Sequence, residues 1–384
     1  MIRTIGLSVF LWTCALSCKG QHPDNIITGA MQLDLLVPKL EGKRVALLVN
    51  HTSRVGSAHL ADTLASLGVN LVKIFSPEHG FRGQAADGEK VNNSVDKKTG
   101  LPIVSLYGNA KKPTAEQLKD VDVVIFDIQD VGVRFYTYIS SLYYMMEACG
   151  ENNTTVMVLD RPNPNSFIDG PILEPGFKSF VGIIPIPIAH GMTVGELATM
   201  MLGEKWLDGG IQCRLEVIPM KHYAHGQEYI LPVKPSPNLP TQHAVVLYPS
   251  LCLFEGTVVS VGRGTPMPFE VIGNPRLAGY PFTFTPVSTP GMSLHPPHEN
   301  KTCYGLDLRD TKTAPGISLK YLLEFYSAYP EKDKFFTPYF NTLAGTDKLK
   351  GQIMSGMTED EIKLTWQNGL DAFKALRKKY LLYN

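Results

Sequence analysis

Four short segments of this sequence gather carboxyls, amides and guanidiniums: Asn50-His51-Thr52, Ser76-Pro77-Glu78-His79-Gly80-Phe81-Arg82-Gly83, Asp127-Ile128-Gln129-Asp130 and Asp160-Arg161-Pro162-Asn163. Paired carboxyls are what glycosidic cleavage uses, and planar guanidiniums bind carboxylates through two hydrogen bonds at once. Glu78 is the foremost candidate, because Pro77 and Gly80 place it in a turn rather than on a surface helix. Partial burial in such a turn raises a carboxyl towards a general acid's working range. The alternative is a carboxylate that caps the next helix or pairs with Arg82. His79 either orients Glu78, bonds a substrate hydroxyl or is a structural hydrogen-bonding residue. A second carboxyl is sought in Glu89, within Ala86-Asp87-Gly88-Glu89, or in Asp127 and Asp130, each of which also reads as a loop or helix N-terminal hydrogen-bonding group. The catalytic candidates are thus Glu78, Glu89 and Asp127. The binding candidates are Asn50, His79, Arg82, Asp130, Arg134, Tyr136, Arg161 and Arg263.

The elements that must position these residues follow from the apolar pattern. Each polar segment comes at the end of a short, nearly continuous apolar run, and runs at 44–50, 69–75, 122–127 and 154–160 alternate with helical patterns at 58–67 and 139–149. Alternation of this kind predicts βαβ units, and strands apolar on both faces predict a parallel sheet covered by helices. The fold class is α/β: a Rossmann-like, doubly wound, mostly parallel sheet with a second, smaller α/β (α+β) domain. In such sheets ligands bind beyond the carboxyl ends of the strands, so all four segments converge on one edge. Thr193 with Glu196 predicts a capping box for a helix over 194–202, and 215–218 reads as a further strand. Pro232, Pro235, Pro237 and Pro240 mark a boundary between a catalytic domain at 25–232 and an auxiliary domain at 233–384 that closes the cleft. In the latter, 244–247 and 257–261 read as strands. Near the end, Thr358 and Glu361 cap a helix carrying an Ile362, Trp366, Leu370, Phe373, Leu376 stripe, which is structural.

Two weaker signals accompany the strand ends. Val131-Gly132-Val133-Arg134-Phe135-Tyr136-Thr137-Tyr138 sets a cation among aromatic rings, which suits a sugar carrying a carboxylate or, equally, a domain core with Arg134 paired to Asp130. Gly262-Arg263-Gly264-Thr265 is a glycine-relieved turn carrying one guanidinium.

Lys plus Arg equals Asp plus Glu at 36 each, so neither nucleic acid nor an anionic membrane surface is an expected partner. The chain has no Gly-x-Gly-x-x-Gly after its first strand, no phosphate loop and no clustered histidine ligands, so neither a cofactor nor a metal is expected. Arg3 leads into an apolar run from Ile5 to Leu16 that is too short to span a bilayer and reads as an export leader over 1–20. Ala15-Leu16-Ser17-Cys18 resembles a lipoprotein processing site with Cys18 as the lipid-bearing residue, plain secretion being the alternative. The expected location is the periplasm or, lipid-anchored, the cell envelope. Cys149, Cys213, Cys252 and Cys303 are far apart and show no metal-ligand spacing.

The sequence as a whole resembles the bacterial exo-β-N-acetylmuramidases. The resemblance is carried by LLVNHTS from Leu47, FSPEHGFRG from Phe75, the DGE at Asp87 and TGLPIVSLYG from Thr99. It continues in VIFDIQDVGVRFYTY from Val124, VLDRPNPN from Val158 and EGTVVSVGRGTPMPFE from Glu255. It implies a Rossmann-like domain and a smaller one with a cleft between them. It also implies release of N-acetylmuramic acid (MurNAc) from the non-reducing end of MurNAc–GlcNAc chains, with Glu78 as the main acid/base. The lactyl carboxylate of MurNAc calls for a fixed cation, expected among Arg82, Arg134, Arg161 and Arg263. Two other readings remain. A cell-wall esterase or amidase would use Asp, His and Ser, although no Gly-x-Ser-x-Gly elbow is present. A non-catalytic module that binds cell-wall sugars is the other.

Overall fold

A computed structural model describes residues 25–78, 80–82, 94–108 and 110–384. The leader with Cys18, His79 and Glu89 lies outside the described residues. Seven strands form the central sheet: β1 Val45–Val49, β2 Leu71–Ser76, β3 Ser94–Val95, β4 Pro102–Ser105, β5 Val123–Asp127, β6 Thr155–Leu159 and β7 Arg214–Ile218. Their spatial order is β7-β6-β5-β1-β2-β4-β3, and every pairing is parallel except that of the short edge strand β3 with β4.

The apolar runs form this sheet because each strand feeds two cores. Ala46 and Leu48 of β1, Val124 and Phe126 of β5, and Val156 and Val158 of β6 join one buried cluster. The alternating residues Val45, Leu47, Val49, Val123, Ile125, Met157 and Leu159 join another. A period of two thus sends successive side chains to opposite faces, and each fully buried aliphatic side chain contributes about 1.5–3 kcal/mol. Helices Tyr138–Glu151 and Val194–Gly203 cover the first face, and Leu33–Lys39 and Leu60–Ser66 the second. The capping box of Thr193 and Glu196 is present. Chain order reverses between β1 and β5, so the crevice lies beyond their carboxyl ends.

The smaller domain adds a three-stranded antiparallel sheet of Val271–Asn274, Phe282–Phe284 and Cys303–Asp307 and several helices. Its apolar residues Leu251, Phe254, Phe325, Phe340 and Ile362 belong to the same cluster as β5 and β6, so the core runs unbroken between the two parts. The chain end then returns to the first part, where Tyr383 donates to Asp160 at 2.6 Å.

Three expected elements differ. Residues 244–247 lie in a helix, Gln242–Leu251, whose N-cap Thr241 accepts from the Ala244 amide at 2.9 Å. The β-branched run suited a strand, but the cap and burial of one helical face prevail. Residues 257–261 are extended with single bridges from Thr257 to Phe336 and Ser260 to Gly273, without a ladder. The C-terminal stripe is split into Glu359–Leu364 and Gln367–Arg377, and Ile362, Trp366, Leu370 and Phe373 are buried as expected. All four described cysteines are free thiols.

Candidate active site

Beyond the sheet's carboxyl edge a cleft of about 630 Å³ opens between the two parts. Glu78, Tyr107, Lys111, Thr137 and Phe180 line it from the first, and Asn238, Glu255, Arg263, His295 and Tyr339 from the second. Glu78 follows β2, and its Oε2 accepts a hydrogen bond from the Thr137 hydroxyl at 3.2 Å. Thr137 immediately precedes the fourteen-residue helix Tyr138–Glu151, so the start of that helix positions the hydroxyl that holds Glu78. Arg82 grips Asp96 with two bonds of 2.9 Å and reaches Asp62 at 3.3 Å. Burial alone would raise Asp96, but Arg82 and the Thr99 hydroxyl and amide bring it down to about 2.

Among the described residues Glu255 is the other carboxyl that lines this cleft, and sequence reasoning missed it. It sits in the short helical turn Cys252–Gly256, with Oε1 held by the Arg263 Nε. The Arg263 guanidinium also faces the Phe269 ring at 5.3 Å. The only signal lay in Glu255 opening the segment that carries Gly262-Arg263-Gly264. Lys111, also missed, belongs to no motif; its ammonium lies 4.4 Å from the centre of the Phe180 ring. Tyr136 does line the cleft, its hydroxyl donating to the Pro235 carbonyl at 2.8 Å and its ring set edge-on to Tyr138 and Tyr248.

Several strand-end candidates turn inward and are corrected. Asp127 is fully buried and bound in bidentate fashion by Arg161 at 2.5 and 2.9 Å, so neither faces the cleft. Burial alone would lower Arg161, but the charge and hydrogen bonds of Asp127 hold it above the usual arginine value. Asn50 is also fully buried; its Oδ1 accepts from the Thr52 amide and hydroxyl, which shapes the turn after β1. Arg134 is 1 % exposed and donates to the carbonyls of Pro171, Ile186, Leu343 and Ala344. It fastens the Ile168–Ile172 strand to helix Tyr339–Ala344 and does not pair with Asp130. Burial without a carboxylate partner pushes it down to about 9. Arg263 alone of the four arginines lines the cleft.

Asp130 is buried too, with Oδ1 accepting from the Gly132 amide at 2.7 Å and Oδ2 unpartnered. Gly132 makes this turn feasible: its φ is +81°, and a Cβ there would lie 2.0 Å from the Asn163 Oδ1. Burial pushes the Asp130 carboxyl up to about 7. The nearby His190, whose Nε2 is 3.9 Å from Asp130, is pushed down to about 3 by burial and by the charges of Arg377 and Arg134. Both are therefore neutral between these limits. Since the folded Asp130 pKa exceeds the unfolded value near ~3.9, its stabilising proton is retained at low pH. That contribution is lost as pH rises from about 4 through about 7, a change on the order of 4 kcal/mol. His190 acts in the opposite sense, costing stability as pH falls below about 6.5. The stability of Asp130→Asn relative to the parent is therefore expected to increase across pH 4–7 in urea titrations; a difference independent of pH would contradict this assignment.

An α/β fold with an interdomain cleft lined, among the described residues, by the carboxyls of Glu78 and Glu255 fits a glycoside hydrolase type of site. Residues 45–243 match the N-terminal domain, and residues 246–383 the C-terminal domain, described as exo-beta-N-acetylmuramidase NamZ. The chain belongs to this family. It is 40% identical over 380 residues to the peptidoglycan beta-N-acetylmuramidase NamZ of Bacillus subtilis, covering 91% of this chain and 90% of that protein. Two crystal structures of DUF1343 family proteins from Bacteroides fragilis share the fold. One has a TM-score of 0.87 at 48% identity and the other 0.80 at 31%, each covering 94% of this chain and 99% of the other.

Proposed function

We propose that this protein hydrolyses the β-glycosidic bond of N-acetylmuramic acid at the non-reducing end of MurNAc–GlcNAc chains derived from peptidoglycan. The observation that carries the reading is Glu78, which accepts a hydrogen bond from the Thr137 hydroxyl and lines, together with Glu255 of the smaller part, one cleft. Glu78 gives a proton to the glycosidic oxygen as the bond to the anomeric carbon breaks, and water takes the leaving group's place, losing a proton that restores the Glu78 carboxyl. Glu255, fixed by Arg263, supplies the second cleft carboxylate beside the developing positive charge of the sugar ring.

Turnover of 4-nitrophenyl β-MurNAc, with 4-nitrophenyl β-GlcNAc alongside, tests the reading. Release of nitrophenol from the MurNAc glycoside alone is expected. Tight binding of a MurNAc–GlcNAc disaccharide without turnover would make the protein a binding module, and cleavage of a nitrophenyl ester alone would make it an esterase.

Export belongs to the same proposal, since the polymer lies outside the cytoplasm and the apolar run from Ile5 to Leu16 ends at Cys18. With lipid attached at Cys18, the parent protein fractionates with membranes and Cys18→Ser does not; equal fractionation of the two would remove the anchor from the proposal.

A further inference from the structure

We infer that Lys111 is the residue that reads the lactyl carboxylate, the group that distinguishes N-acetylmuramic acid from N-acetylglucosamine; the inference rests on the muramidase reading above. The four arginines of the candidate set are otherwise engaged. Arg134 and Arg161 are buried on carbonyls and on Asp127, Arg82 is held by Asp96 and Asp62, and Arg263 holds Glu255. Lys111 differs from all of them. It lines the cleft together with Glu78, and its ammonium is 4.4 Å from the centre of the Phe180 ring, which is itself stacked on Tyr144. Among the described residues it forms no ion pair, whereas the adjacent Lys112 binds Glu151 at 2.8 Å and Glu147 at 3.5 Å.

An aromatic face attracts a cation through its quadrupole but carries no opposing unit charge. The ring therefore fixes the direction of the Lys111 side chain and leaves its positive charge available to the cleft. A lactyl carboxylate bound there gains a charge-assisted hydrogen bond. A sugar with a plain hydroxyl in that place gains none, so one side chain supplies both affinity and discrimination.

The test compares 4-nitrophenyl β-MurNAc with its uncharged lactyl methyl ester, using the parent protein, Lys111→Met and Lys111→Arg. Binding of free MurNAc and free GlcNAc is followed in parallel by calorimetry. Lys111→Met is expected to lower kcat/KM on the acid about ten- to hundredfold, mainly through KM, and to affect the ester far less. Lys111→Arg should restore much of the preference for the acid. Equal losses on acid and ester, or undiminished preference for the acid in Lys111→Met, would overturn the inference. Calorimetry keeps it separable from the hydrolytic reading. If the parent protein cleaves neither glycoside, the hydrolytic reading falls, but MurNAc must still bind more tightly than GlcNAc, and only when Lys111 is present.

Discussion

Glu78→Gln is expected to lower kcat on a MurNAc–GlcNAc disaccharide by about 10²–10⁴-fold, the range that a positioned proton donor contributes, with KM nearly unchanged. Glutamine keeps the shape of the side chain and an oxygen able to accept from Thr137, so the variant removes the transferable proton while preserving the 3.2 Å contact. The leaving group sharpens the test. Nitrophenolate departs with little need of a proton, whereas a sugar alkoxide does not, so loss on the nitrophenyl glycoside should be clearly smaller than on the disaccharide. Equal losses on the two substrates would assign Glu78 to the step that uses water or to positioning, and undiminished turnover would take it out of the mechanism. Thermal unfolding of the variant should match the parent, separating lost chemistry from lost fold.

The sheet was legible in the sequence because its strands are apolar on both faces, and their alternation between two cores leaves few other ways to bury them. The Gln242–Leu251 helix was not, since a short run such as Ala244-Val245-Val246-Leu247 satisfies a buried strand and a buried helix equally. The location of the site was legible for the same reason as the sheet: polar residues that follow parallel strands meet at one edge. Which of them face outward was not. Asp127 and Arg161 lie 34 positions apart and neutralise each other only once β5 and β6 are neighbours. Arg134 resembles a sugar-binding cation in sequence and becomes a fastener because four carbonyls from three segments surround it. Glu255 and Lys111 enter the cleft from a turn and a loop without periodicity, so spacing did not single them out, although Glu255 opens one of the family-like strings.

Arg161→Met is expected to destabilise the fold by about 3–5 kcal/mol, because it leaves the Asp127 carboxylate buried without its partner. Asp127 is 0 % and Arg161 6 % exposed, and two hydrogen bonds join them at the carboxyl end of the central strand β5, where solvent cannot substitute for the lost guanidinium. The double variant Asp127→Asn/Arg161→Met removes the buried charge along with its partner and should recover a large part of the loss, as a coupled pair requires. Denaturant unfolding of the four proteins forms the cycle, and a cost below about 1 kcal/mol for the single variant would show that the pair is dispensable. Activity distinguishes this structural role from a substrate contact. Below the unfolding range the folded Arg161→Met protein should keep kcat and KM within a few-fold of the parent, since the guanidinium does not line the cleft. A large rise in KM for MurNAc substrates with stability intact would instead return Arg161 to the substrate, where its place beside Asp160 at a strand end first suggested it.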